Sequence, residues 1–177
     1  MERKNNLPNI EYKKTLYVTD LSEAGRQAFP HAASIARRFQ SKLTVFHVVS
    51  TKNMENLLGY VNDELWEDLT RQSLEDARKV LLSRKRENTD IQTELEQYCE
   101  DSNQQELSQD KLVYEVKVKA GEPLEKILEE AHSGDYDLLV ISKHGNRASV
   151  KDAIIGDTAR RIVRRSKIPV MTIPAPE

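Results

Sequence analysis

The sequence predicts an α/β fold, a single doubly wound parallel sheet with helices on both faces. Three observations predict it. Apolar, β-branched runs recur along the chain, amphipathic helical stripes separate them, and 177 residues suffice for one core but poorly for two. Strands alternating with helices imply right-handed crossovers and parallel pairing.

The first strand is read at 16–18, and Ser22 stands where an N-cap opens the helix that follows. That helix carries Ala28, Ala32, Ile35, Ala36 and Phe39 at helical spacing. Pro30 interrupts it by removing a hydrogen bond, so a bend there or a later start is expected. The second strand, 43–49, is continuously apolar, which suits burial on both faces. A second helix carries Trp66, Leu69, Ala77, Val80 and Leu81. It is expected to reach about Lys85 and then give way to a partly ordered polar excursion within an insertion at 84–110. In 113–118 apolar and charged residues alternate, the mark of a half-exposed or edge strand. Gly121, Glu122 and Pro123 open a third helix with a stripe of Leu124, Ile127, Leu128 and Ala131. The fourth strand is 138–141, a fourth helix carries Ile155, Ala159 and Ile162, and a strand at 168–173 closes the sheet. Residues 1–13 read as a polar N-terminal extension, and 14–177 as the domain.

Charge excludes some functions. Lys plus Arg is 27 and Asp plus Glu is 29, a net charge of -2, so no basic excess drives nucleic-acid binding. Arg160, Arg161, Arg164, Arg165 and Lys167 form a basic run without interleaved aromatics and read as a solvated helix face. No run of 18 apolar residues offers a membrane span, and 1–14 lack the apolar core of a secretory leader. The single cysteine, Cys99, cannot form an internal disulfide, which fits a reducing, cytoplasmic setting.

Ligands of open parallel sheets bind beyond the carboxyl ends of the strands, where the winding reverses. Thr19, Asp20, Leu21 and Ser22 follow the first strand. Ser142, Lys143, His144 and Gly145 follow the fourth, and the loop leads on to Gly156, Asp157 and Thr158. Gly145 allows close backbone approach, and amides around Gly156 can face an anion at a helix start. His47, inside an apolar strand, is expected to be a hydrogen-bonded core residue. His31 and His132 have no companions at ligand spacing, so no metal site is argued.

At these residues the chain resembles the universal stress protein family. The stretch 14–23 is similar to that family's opening strand, which ends in Asp followed by a small residue and Ser. Residues 43–49, 121–123 and 136–141 resemble its second strand, third-helix start and fourth strand, and 156–164 with 168–170 its last helix and strand. The resemblance implies a five-stranded Rossmann-like sheet of order 3-2-1-4-5, a homodimer paired through the C-terminal edge strand, and in one subset a pocket for an adenine nucleotide, ATP first. Carried onto this chain, Asp20 would hold the adenine or ribose edge, with Thr19 beside it in the cofactor site, and the backbone of Val48 would contact adenine. Gly145 and Gly156 would let the phosphates approach the chain, with Ser142, Asp157 and Thr158 in the same cofactor loop and His144 either reaching a phosphate or orienting the turn.

The subset's loop reads G-x2-G-x9-G followed by Ser or Thr. Here Ser142 replaces the first glycine, ten residues separate Gly145 from Gly156, and Asp157 replaces the hydroxyl residue, with Thr158 next. A carboxylate about 4 Å from a phosphate is repelled by roughly 4 kcal/mol at an effective dielectric near 20. Mg²⁺, or Lys143, Arg147 and Lys151, would offset that charge. The reading is a nucleotide-responsive regulatory module whose loop state a protein partner reads. Its alternatives are an interaction module of the same family without nucleotide, and a slow ATP hydrolase.

Overall fold

The computed structural model describes residues 10–52, 62–101, 112–143 and 155–174, with side chains of the long second helix described as far as Glu87. Five strands, β1 (Lys14–Val18), β2 (Lys42–Ser50), β3 (Tyr114–Gly121), β4 (Leu138–Ser142) and β5 (Val170–Ile173), form one sheet. Its order is β3-β2-β1-β4-β5, all parallel. Between the strands run α1 (Glu23–Phe39), α2 (Asp63–Asp101), α3 (Pro123–Ala131) and α4 (Asp157–Arg165). The order expected from the sequence is the order found.

Alternation along the central strand builds two core layers, because successive side chains point to opposite faces. Leu16 and Val18 of β1 pack with Phe46, Leu124, Ile127 and Ile162, on the face covered by α3 and α4. Tyr17 packs with Val45, Val140, Ala28, Ala32 and Leu81, on the face covered by α1 and α2. Register aligns the strand ends: Val18 lies opposite Phe46 on one side and Ile141 on the other. The residues just after β1 and β4 therefore emerge side by side.

Helix α1 begins at Glu23, not later, because the Ser22 hydroxyl caps it by accepting from the Gly25 N–H at 3.0 Å. It continues through Pro30 as one element. Pro30 is exposed, so water can serve the Arg26 carbonyl that lacks its helical donor. Helix α2 corrects a second expectation, since it runs past Lys85 to Asp101. The segment 63–101 contains neither Gly nor Pro and is rich in Glu, Gln, Leu, Lys and Arg, all strong helix formers. At 39 residues it is about 58 Å long, against about 30 Å for the nine-residue β2. Ala77 and Leu81 are its buried contacts, whereas Val80 is exposed. The rest of 84–110 past Asp101, the Cys99 side chain and residues 1–9 lie outside what is described.

The two sheet edges differ in chemistry. On the β3 edge, Lys117 and Lys119 both reach Glu130 of α3, at 3.1 and 2.8 Å, and the Tyr136 hydroxyl donates to the same carboxylate at 3.0 Å. Burial pushes Glu130 up, but these three donors outweigh it and hold the carboxyl below its usual range. Charge thus blunts the β3 edge. The β5 edge is short and apolar, Val170-Met171-Thr172-Ile173, with Met171 exposed.

Candidate functional site

The turn after β1 is held by its own side chains. The Thr19 N–H donates to the Phe46 carbonyl at 3.0 Å, so β1 and β2 stay paired one residue beyond the strand. The buried Thr19 hydroxyl accepts from the Leu21 N–H at 3.1 Å, and Asp20 Oδ1 accepts from the Ser22 N–H at 3.1 Å and from the Ser22 hydroxyl. Leu21 takes φ 65°, a left-handed conformation that few side-chain-bearing residues adopt. Its carbonyl accepts from Arg84 Nη2 at 3.0 Å, a clamp delivered by α2. Gly25 completes the turn. A Cβ there would lie 2.8 Å from both Asp20 Oδ1 and Thr19 Oγ1, and its carbonyl accepts the Tyr17 hydroxyl. Burial pushes Tyr17 up to about 12, so it stays a neutral donor near neutral pH.

His47 is the hydrogen-bonded residue its sequence position suggested. Its Nδ1 lies 2.8 Å from the Thr19 carbonyl. A carbonyl only accepts, so Nδ1 carries the proton. Burial lowers the His47 pKa below 6.5, against the opposing pull of the Thr19 hydrogen bond and Asp20. The unfolded chain therefore takes up this proton first, and stability is expected to fall as pH drops below about 6.5, until the folded value is reached. Urea midpoints measured between pH 7.5 and 5.5 check this. His47→Asn, which keeps a donor for Thr19, should flatten the slope. An unchanged slope would assign it elsewhere.

Val48 supplies backbone only, since its side chain is buried in the core. Because Phe46 turns its carbonyl toward Thr19, Val48, two residues on, turns its own N–H and carbonyl the same way, past the end of β1.

The β4 side is drawn in by two backbone bonds. The Lys143 N–H donates to the Ile173 carbonyl at 2.6 Å, and the Gly156 N–H donates to the Lys143 carbonyl at 2.9 Å. The second bond ties the start of α4 to the residue just after β4, while the β1–β4 pairing brings Ser142 level with the residue that follows Val18. Gly156 is the N-cap and brings no capping side chain, so the first α4 amides are free of one. Asp157, the first helical residue, is turned back onto its own helix. It meets Arg160 Nη2 at 2.8 Å and Arg161 Nε at 2.9 Å, and these guanidiniums, Arg160 first, hold it below the usual range. Thr158 is exposed on the first turn. His144 and Gly145 lie outside the described residues, as do Arg147 and Lys151.

Thr19, Asp20, Val48 and Ser142 thus lie at the carboxyl ends of three adjacent strands, and Gly156 and Asp157 open the helix tied to the residue after β4. Sequence reading passed over Gly25 and Arg84. For Gly25 a signal existed, a glycine three residues after a capping serine. For Arg84 there was none, because its contact bridges 63 positions of sequence.

A profile described as the Universal stress protein family matches residues 11–174. Universal stress protein MJ0577 of Methanocaldococcus jannaschii is 20% identical over 176 residues, spanning 93% of this chain and 96% of its own length. The solved structure of MJ0577 superposes with a TM-score of 0.69, covering 95% of this chain and 99% of that one. The universal stress protein UspA from Lactobacillus plantarum gives 0.62 at 23% identity, covering 93% and 99%. A universal stress protein solved in complex with cAMP gives 0.53 at 17% identity, covering 94% and 100%.

Proposed function

The chain belongs to the universal stress protein family, and from that premise we propose that it is a regulatory module that binds an adenine nucleotide across the carboxyl ends of β1 and β4. The observation that carries the reading is the bond from Gly156 to Lys143, which ties an α4 start without a side-chain cap to the residue just after β4, the strand next to β1. A helix N-terminus of this kind suits phosphate. The inward-turned backbone of Val48 suits the base, and Asp20 the ribose or the exocyclic amine. The cAMP complex of one relative supports the ligand class.

Asp157 alters the affinity without closing the site. Its charge is answered by Arg160 and Arg161, and it is exposed. Near water the repulsion at 4 Å is about 1 kcal/mol per charge pair, not the 4 kcal/mol of a sheltered site. Calorimetric titration with ATP, AMP and cyclic AMP, each with and without Mg²⁺, tests the reading. ATP is expected to bind, more weakly after Asp20→Ala and about fivefold more tightly after Asp157→Ser. No binding under any of these conditions would leave the interaction module without nucleotide.

The same proposal includes a homodimer through β5 in a reducing, cytoplasmic setting. Its support is the contrast between edges: β3 is blunted by charge, while β5 ends the sheet with an apolar strand. Light scattering that shows only monomer at micromolar concentration would remove the dimer. The partner that reads the loop state would be a protein recognising the segment between Lys143 and Gly156. Among the described residues no helix is long and apolar enough to cross a membrane.

A further inference from the structure

A concavity lies between the sheet, α1 and α2; of the residues assigned to the nucleotide it shares only Thr19, and its reading does not depend on the nucleotide. Its volume is about 130 Å³. The floor is Tyr17 and Val45, neighbours across the β1–β2 pairing. Phe29 and Tyr114 wall it, with Phe29 5.7 Å from the Tyr17 ring and 5.3 Å from the Tyr114 ring, tilted about 60° to each. Leu81 of α2 closes the apolar part. A dry apolar cavity of about 150 Å³ accepts benzene, so this space matches a single six-membered ring.

The mouth is charged. Arg26 of α1 and Arg84 and Glu87 of α2 line it, two cations against one anion. Arg84 donates one bond to the Leu21 carbonyl, and a guanidinium has further N–H groups to offer. Arg26 is exposed and makes no ion pair among the described residues. An aromatic-walled slot with two guanidiniums at its rim calls for a flat ring bearing one carboxylate, which such forks bind bidentately.

We propose that this cavity binds a small monocyclic aromatic carboxylate, with its ring among Tyr17, Phe29 and Tyr114 and its carboxylate on Arg26 and Arg84. Arg84 also clamps Leu21, next to Asp20, so occupancy reaches the turn that borders the nucleotide groove. The ligand is an effector of that turn and not a substrate.

Benzoate, benzamide and benzamidine, flat rings with negative, neutral and positive substituents, are the probes. Each is titrated into the full chain, followed by heat and by ¹H–¹⁵N spectra. Benzoate is expected to bind best and to move the amides of Tyr17, Leu21 and Gly25. Arg26→Gln should weaken it roughly tenfold and Glu87→Gln should tighten it about threefold, with benzamide indifferent to both. Both residues are exposed, so neither change threatens the fold. Equal binding of the three probes, preference for benzamidine, shifts confined to other parts of the chain, or no binding at millimolar benzoate would each overturn the proposal.

Discussion

Phe46→Ala is expected to lower the unfolding free energy by about 4 kcal/mol, the range for emptying a fully buried aromatic site. Phe46 has no exposed surface and is the largest fully buried side chain among the described residues, in the core between the sheet and helices α3 and α4. Elements on both sides of it belong to rigid pairings, with Val18 in register beside it and Leu124 and Ile127 above, so the cavity cannot collapse freely. Against a typical total of 5–15 kcal/mol, the loss removes a large share of stability. Urea unfolding should show a lower midpoint with an unchanged slope. Phe46→Leu, which keeps most of the volume, should cost less than about 1.5 kcal/mol. A loss below about 1 kcal/mol for the alanine variant would mean that the core is not packed as described.

Gly25→Ala sets two effects against each other. Inside a helix, alanine is favoured over glycine by about 1 kcal/mol, so propensity alone predicts stabilisation. The added Cβ would stand 2.8 Å from Asp20 Oδ1 and from Thr19 Oγ1, closer than real contacts allow. Neither oxygen belongs to a long flexible chain that can swing aside. Asp20 Oδ1 is fixed by Ser22, and Thr19 Oγ1 by the Leu21 N–H. Moving them costs two or three hydrogen bonds at about 1 kcal/mol each, which outweighs the propensity gain. The net expectation is a loss of about 1–2 kcal/mol, together with at least a tenfold drop in ATP affinity if the displaced atoms belong to the nucleotide site proposed above. Paired denaturation and calorimetry separate the outcomes. A more stable variant with unchanged nucleotide affinity would show that the Asp20 turn is not part of the site.

Much of the architecture was legible in the sequence. The apolar runs of β2 and β4 announced strands covered on both faces, and the alternation of Glu115, Val116, Lys117 and Val118 announced an edge strand, as β3 is. The far half of α2 was not legible. Its residues favour the helix through backbone propensity and lack the apolar stripe that periodicity detects, so 86–101 resembled an irregular polar stretch. The placement of Thr19, Asp20 and Ser142 was legible by position, since they end or follow strands that a parallel sheet must align. What holds them in place was not. The Arg84 clamp on Leu21, the His47 bond to Thr19 and the tie from Gly156 to Lys143 join groups far apart in the chain or depend on backbone direction. The repulsion expected from Asp157 was overstated for a related reason: Arg160 and Arg161 lie three and four residues on, where a helix brings them onto it.

The bond from Gly156 to Lys143 also bears on how this loop can change over generations. It fastens both ends of the intervening segment to the sheet, so the entry point of α4 is set by the fastening and not by the number of residues between. Closing a chain segment costs free energy that grows only with the logarithm of its length, about 0.6 kcal/mol for each doubling. One residue more or fewer then changes stability by roughly a tenth of a kcal/mol. A change in the number of residues between the two fastened points therefore carries little cost in closure entropy, and the place where α4 begins is kept by the fastening.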